Sequence, residues 1–108
     1  MLVSVALPLP LFQELAYAVP EALIPRATVG SRVVVPVRGR RVVGLVVGKG
    51  EVRAGLVARE ILDAPDAGPV LDAPGLALAR WISAYYAAPL GVVVRAMLPA
   101  ALSGVRAS

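Results

Sequence analysis

Three arginines in four positions, Arg38-Gly39-Arg40-Arg41, are the residues of this sequence best suited to chemistry, and that chemistry is phosphate recognition. A guanidinium is planar and permanently charged, and it forks paired N–H donors toward phosphate oxygens. No acid interrupts the run, so the three charges repel one another unless an anion visits. The plain alternative is a solvated turn, since turns are exposed and commonly charged. Seven of the chain's 11 basic residues lie between Arg26 and Arg53, namely Arg26, Arg32, Arg38, Arg40, Arg41, Lys49 and Arg53, with Glu51 the one acid among them. Arg32 and Lys49 would extend the basic surface around the corner.

Other chemistry is sparse. The chain has no cysteine and no histidine, which excludes disulfides, structural zinc sites and any Ser-His or Cys-His nucleophile pair. Its acids (Glu14, Glu21, Glu51, Glu60, Asp63, Asp66, Asp72) are scattered, and nothing matches a phosphate-cradling GxxxxGK[ST] loop. The chain is therefore expected to be no enzyme by itself and to need no metal or cofactor. Trp81, Tyr85 and Tyr86 suit a stacking platform for unpaired bases, but their helical spacing favours packing in the core. Tyr17 suits either a pocket wall, with its hydroxyl exposed, or an ordinary core position.

Elements must hold these residues in place. At 108 residues the chain is one domain by size, and 58% apolar composition supplies ample core material. The net charge of +4 is compatible with an anionic partner. Prolines at 8, 10, 20, 36, 89 and 99 cut every apolar run below the roughly 20 residues that a spanning helix needs. Arg80 and Arg95 sit inside the richest region, so a soluble, cytoplasmic chain without a membrane partner is expected.

A first strand is expected at Leu2–Leu7, ended by Pro8 and Pro10, and a second at Leu15–Val19, closed by Pro20. Pro25–Gly30 reads as a loop. Two β-branched runs, Val33–Val37 and Val42–Val47, then flank the arginine corner as a β-hairpin. Gly48–Gly55 reads as a turn and Leu56–Leu62 as another strand ending at Asp63. Ala64–Pro74 is a connector. Asp72 as N-cap and Pro74 in the first turn open a helix through about Tyr86. Leu78, Trp81, Ile82, Tyr85 and Tyr86 give it a wide apolar stripe, and Pro89 stops it. Leu90–Leu98 suits a short second helix, although Val92-Val93-Val94 forms helix poorly. The layout is residues 1–63 rich in strands, 64–74 a connector, 75–98 a helical cap and 99–108 a tail, within one compact domain. The fold class is α+β, a small twisted antiparallel sheet or partial barrel followed by one or two short helices.

An ordered set of segments resembles a known family. VALPLPL (Val5–Leu11), YAVPE (Tyr17–Glu21), GSRVVVPV and GRRVVGLVVG (Gly30–Gly48), EILD (Glu60–Asp63) and LARWISAYYAAPLGVVVRAMLP (Leu78–Pro99) are similar to the N-terminal 3′-DNA-binding domain of the primosomal replication-restart family PriA. The resemblance implies recognition of the 3′ end of a nascent leading strand at an arrested fork. It also implies a full-length relative that adds a winged helix, helicase lobes with an ATPase, and zinc-binding cysteines, all absent here. The family pattern Phe-Asp-Tyr stands here as Leu15-Ala16-Tyr17, so the carboxylate implicated in holding the terminal nucleotide is missing. The family's Pro-Phe-Gly loop reads Pro36-Val37-Arg38-Gly39, with the aromatic lost and an arginine inserted. A lysine usual before the VLD-like motif has no clear counterpart in Gly55–Ala58.

From the residues and the resemblance together, Arg38, Arg40 and Arg41 are expected to contact phosphates, with Arg32 and Lys49 beside them. Leu15, Ala16, Tyr17 and Gly39 are expected to line what remains of a 3′-end pocket, with reduced specificity for a 3′-hydroxyl. The expected partner is DNA, forked or branched, at a single-strand/duplex junction. Single-stranded-DNA-binding protein and other primosome proteins are further candidates. The rival expectation is a protein-docking platform in which DNA binding is weak or lost.

Overall fold

The computed structural model describes residues 1–10, 14–51 and 58–98. Within them the chain runs β1 (Leu2–Ala6), β2 (Leu15–Ala18), a 3₁₀ turn (Glu21–Arg26), β3 (Arg32–Val37), β4 (Arg40–Lys49), α1 (Ala73–Tyr86) and α2 (Leu90–Met97). The strands form one antiparallel sheet in the order β2-β1-β4-β3, curled into a half-barrel, with both helices following it in sequence. This is the α+β arrangement expected from the segregated sequence pattern.

Strand alternation assigns the two faces. Val3, Val5 and Leu7 with Tyr17, Val33, Val35 and Val46 fill the concave interior, joined there by Val19, Ala27, Ile61 and Ala64. Ala6, Val34, Val43, Leu45 and Val47 point the other way and meet Leu71, Leu76, Ala79, Leu90, Val93 and Val94 of the helical layer. Each fully buried aliphatic side chain of this kind contributes about 1.5–3 kcal/mol. The β1–β4 register shifts between Ser4 and Val5, which pair with Gly48 and Val46. Val47 is therefore the extra residue of a bulge, a device that bends and over-twists a sheet toward closure.

The expected strand over Leu56–Leu62 is only partly within view, since residues 52–57 lie outside the described ones. The stretch from Arg59 to Asp63 bonds to both edges of the sheet. Ala18 N–H donates to the Arg59 carbonyl (2.8 Å) and Ile61 N–H to the Ala18 carbonyl (2.9 Å). Further on, Leu62 N–H donates to the Val34 carbonyl (2.7 Å) and Val34 N–H to the Asp63 carbonyl (2.9 Å). One short segment thus bridges β2 and β3. The loop expected at Pro25–Gly30 begins instead as the last turn of the 3₁₀ element.

Helix α1 starts as anticipated: the Asp72 carboxylate accepts from Gly75 N–H at 2.8 Å, and Pro74 occupies the first turn. It ends at Tyr86 as expected, but Pro89 is not what stops it. Ala87 turns left-handed (φ 50°), with the Ala87 and Ala88 N–H groups both on the Ser83 carbonyl, so the helix stops at Tyr86, three residues before Pro89. Pro89 instead occupies the N-cap of α2. The valines of α2 form helix because Val93 and Val94 are buried, and burial outweighs the few tenths of a kcal/mol of propensity each loses. Gly91 allows this packing: a Cβ there would collide with the Leu7 carbonyl. Residues 99–108, expected to be a tail, lie outside the described part. Among the described residues no helix is long and apolar enough to cross a membrane.

Candidate nucleic-acid interface

The β3–β4 pairing runs to Val37↔Arg40, so the turn is only Arg38-Gly39 and the expected four-residue corner is corrected. Both turn residues have positive φ, 49° at Arg38 and 78° at Gly39, as in the type I′ turns whose twist matches a hairpin. Glycine adopts this conformation freely, but an arginine does so at a cost of about 1–2 kcal/mol. Arg40 and Arg41 belong to β4. Arg40 shares the interior face with Val37 and Val42, whereas Arg41 stands opposite Pro36 on the other face. The three guanidinium groups therefore fan out, one from the tip and one from each side of the ribbon. All three residues are exposed, and none makes an ion pair with another described residue.

Tyr17 holds this hairpin from across the barrel. Its side chain is buried, and its hydroxyl donates to the Pro36 carbonyl at 3.0 Å, so the exposed hydroxyl considered from sequence is corrected. Burial pushes the phenol above its ordinary pKa, and the positive charge of Arg59 partly offsets that push. Proline is tolerated in β3 because the strand lies at the edge of the sheet, where a missing N–H breaks no ladder. Gly39 lies just past the tethered segment, exposed, with open space where a Cβ would stand.

The neighbours of Tyr17 alternate. Leu15 packs with Tyr17 toward the interior, while Ala16 pairs with Ser4 on the opposite face. The Ser4 hydroxyl donates to the Glu14 carboxylate (3.2 Å), and Arg80 of α1 reaches both Glu14 Oε1 (3.2 Å) and the Val47 carbonyl (3.3 Å). The Leu15-Ala16-Tyr17 side chains thus face two sides of β2 rather than one cavity. Glu14 and Arg80 stood out in no sequence motif; only a fold that lays α1 across the β2–β1–β4 side brings them together.

The remaining basic candidates are separated from the tip. Arg32 is held by Asp66 in a two-pronged ion pair, Nε to Oδ2 and Nη2 to Oδ1, both 2.6 Å. The Arg32 contacts hold the Asp66 carboxyl below its usual range. Lys49 is exposed at the far end of β4, nine residues from Arg40, or roughly 30 Å at strand rise.

The apolar stripe of α1 corrects a further expectation. Leu76 and Ala79 face the sheet and Ile82 packs against the same core, whereas Leu78 and the aromatics look outward: Trp81 is 60% exposed, Tyr85 68% and Tyr86 69%. Trp81 and Tyr85 stack at 5.1 Å, and Tyr86 meets Tyr85 edge-on at 4.9 Å. Among the described residues these side chains form one contiguous exposed apolar ridge.

A family model described as the 3′ DNA-binding domain (3′BD) of PriA matches residues 4–99, nearly the whole chain. The chain belongs to the PriA 3′BD family. It is accordingly a DNA-binding module of the replication-restart, primosomal type rather than a catalytic one. The 3′BD match spans β1 through α2, so hairpin, Tyr17 tether and aromatic ridge all lie within it. No curated protein matches the sequence.

Proposed function

We propose that this 3′BD domain grips forked or branched DNA near a 3′ strand end through the backbone phosphates. The observation that carries the reading is the trio Arg38, Arg40 and Arg41, exposed and without an ionic partner among the described residues, on a hairpin that Tyr17 anchors. Arg38 occupies a left-handed turn position at a conformational cost, which points to selection for its charge rather than for the turn. Contacts of this kind position a duplex without reading its sequence. Lys49 contributes only to the wider positive field from the other end of β4, and Arg32, neutralised by Asp66, is a secondary contact at most. Leu15, Tyr17 and Gly39 border the end-binding region, and Ala16 supplies no hydrogen-bond acceptor there. Discrimination between a 3′-hydroxyl and a 3′-phosphate is therefore weak.

The test is fluorescence anisotropy with forks that carry or lack a recessed 3′ end, at two salt concentrations. Substituting all three hairpin arginines by alanine is expected to weaken binding and flatten its salt dependence, by about 0.9 in log–log slope per duplex phosphate lost. Unchanged binding would remove the hairpin from the interface.

A second role is favoured by the aromatic ridge of α1: a docking face for another replication protein, single-stranded-DNA-binding protein being one candidate. Trp81→Ala with Tyr85→Ala is expected to abolish that association while leaving fork affinity intact. Loss of fork affinity instead would place the ridge on the DNA.

A further inference from the structure

We infer that Arg59 is a fourth phosphate-contacting residue, acting from a separate element on the same side of the barrel as Arg40. The inference rests on the phosphate-grip reading and extends it beyond the hairpin. Arg59 belongs to the short segment that bridges the two sheet edges, with its carbonyl bonded to Ala18 N–H at 2.8 Å. That bond fixes its backbone directly beside Tyr17. Ile61, two residues on, is buried in the barrel interior, so strand alternation puts Arg59 on the interior side as well. The Arg59 residue is exposed, which places it at the rim rather than within the core. Its charge is felt at the Tyr17 hydroxyl, the group that reaches Pro36 of the hairpin.

On the hairpin side, Arg40 lies on the interior face and is likewise exposed. Arg40 pairs with Val37 of β3 and Arg59 bonds to Ala18 of β2, and the Tyr17–Pro36 hydrogen bond ties those two strands together. Among the described residues Arg59, like Arg40, makes no ion pair. Two uncommitted guanidinium groups on the interior side, carried by different elements, suit phosphates of one strand passing the rim, whereas the hairpin alone would offer contacts from a single element. The ligand class is a nucleic-acid strand held by its sugar–phosphate backbone.

The experiment compares Arg59→Ala with Arg95→Ala, which removes an equal charge from an exposed site on α2. Both are titrated against a fluorescent partial duplex with a recessed 3′ end over a series of salt concentrations. Melting temperatures of the variants report folding, which the Arg59 side chain supports through no hydrogen bond among the described residues. Arg59→Ala is expected to weaken binding and lower the salt slope by about 0.9 for a duplex contact or about 0.7 for a single-strand one. Arg95→Ala is expected to leave the slope unchanged, and Arg59→Lys to restore most of it. Equal behaviour of Arg59→Ala and Arg95→Ala would overturn the assignment of Arg59. If the triple hairpin variant still weakens binding in that case, the hairpin grip survives. If it does not, both readings fall together.

Discussion

The Tyr17 hydroxyl and the Pro36 carbonyl, 3.0 Å apart, connect the two outermost strands of a four-stranded sheet. β2 and β3 share no ladder, so this side-chain bond and the crossing segment from Arg59 to Asp63 hold the curl. Tyr17→Phe keeps the ring in the core and removes only the donor. It is expected to cost about 1 kcal/mol in urea unfolding, and to reduce fork affinity by loosening the hairpin. Full stability with Tyr17→Phe would show that the backbone bridges alone close the barrel.

Arg38 separates stability from binding. Asn tolerates the left-handed turn better than Arg, so Arg38→Asn is expected to hold or raise stability by up to about 1 kcal/mol. Fork affinity is expected to fall in the same variant, with a shallower salt slope. Calorimetry and anisotropy on one sample decide the matter, and a parallel loss of both would point to the turn rather than the charge.

Asp66 sets an acid limit. Hydrogen bonding to Arg32 holds its folded-state pKa below the ordinary 3.8, so the folded form binds this proton less readily than the unfolded chain. The stabilisation is fully present above that ordinary value and disappears as pH falls through the depressed folded one. Melting temperature is expected to drop below about pH 4. In Asp66→Asn this part of the drop is absent, at the expense of lower stability near neutrality.

Gly91 tests the seat of α2. A methyl group at this position meets the Leu7 carbonyl, so Gly91→Ala must displace the helix from the end of β1. Overpacking of this kind costs about 1–3 kcal/mol or more. Denaturant titration of Gly91→Ala is expected to show a loss at or above the upper end of that range, whereas Gly48→Ala, with open space at its Cβ, serves as the mild comparison.

Much of the fold was legible because local and tertiary preferences agree. The valine runs on either side of Arg38-Gly39 became β3 and β4, and Asp72 with Pro74 opened α1 where capping chemistry says it should. The orientation of α1 was not legible. Leu76 and Ala79 occupy one face, Leu78, Trp81 and Tyr85 the opposite one, and both are apolar. Periodicity favours the bulkier stripe, yet of that stripe only Ile82 packs against the core, beside Leu76 and Ala79. The arginine corner looked like a four-residue turn because charge and exposure suggest a loop, although Arg40 and Arg41 pair with Val37 and Pro36 as strand residues. Of the candidate site, the hairpin trio was readable from spacing. Arg59 was not, since its relation to Tyr17 comes from a segment that crosses from β2 to β3.

That crossing segment has a consequence for the chain in crowded solution. The edge stretch Val33-Val34-Val35 is the type of sequence that recruits identical copies into cross-β stacks when its amides are bare. By engaging Ala18 on one margin and Val34 on the other, the stretch from Arg59 to Asp63 acts as a stopper on both ends of the template. Both edges of the sheet thereby carry backbone bonds from a few residues distant in sequence, which blunts them as templates for edge-to-edge pairing.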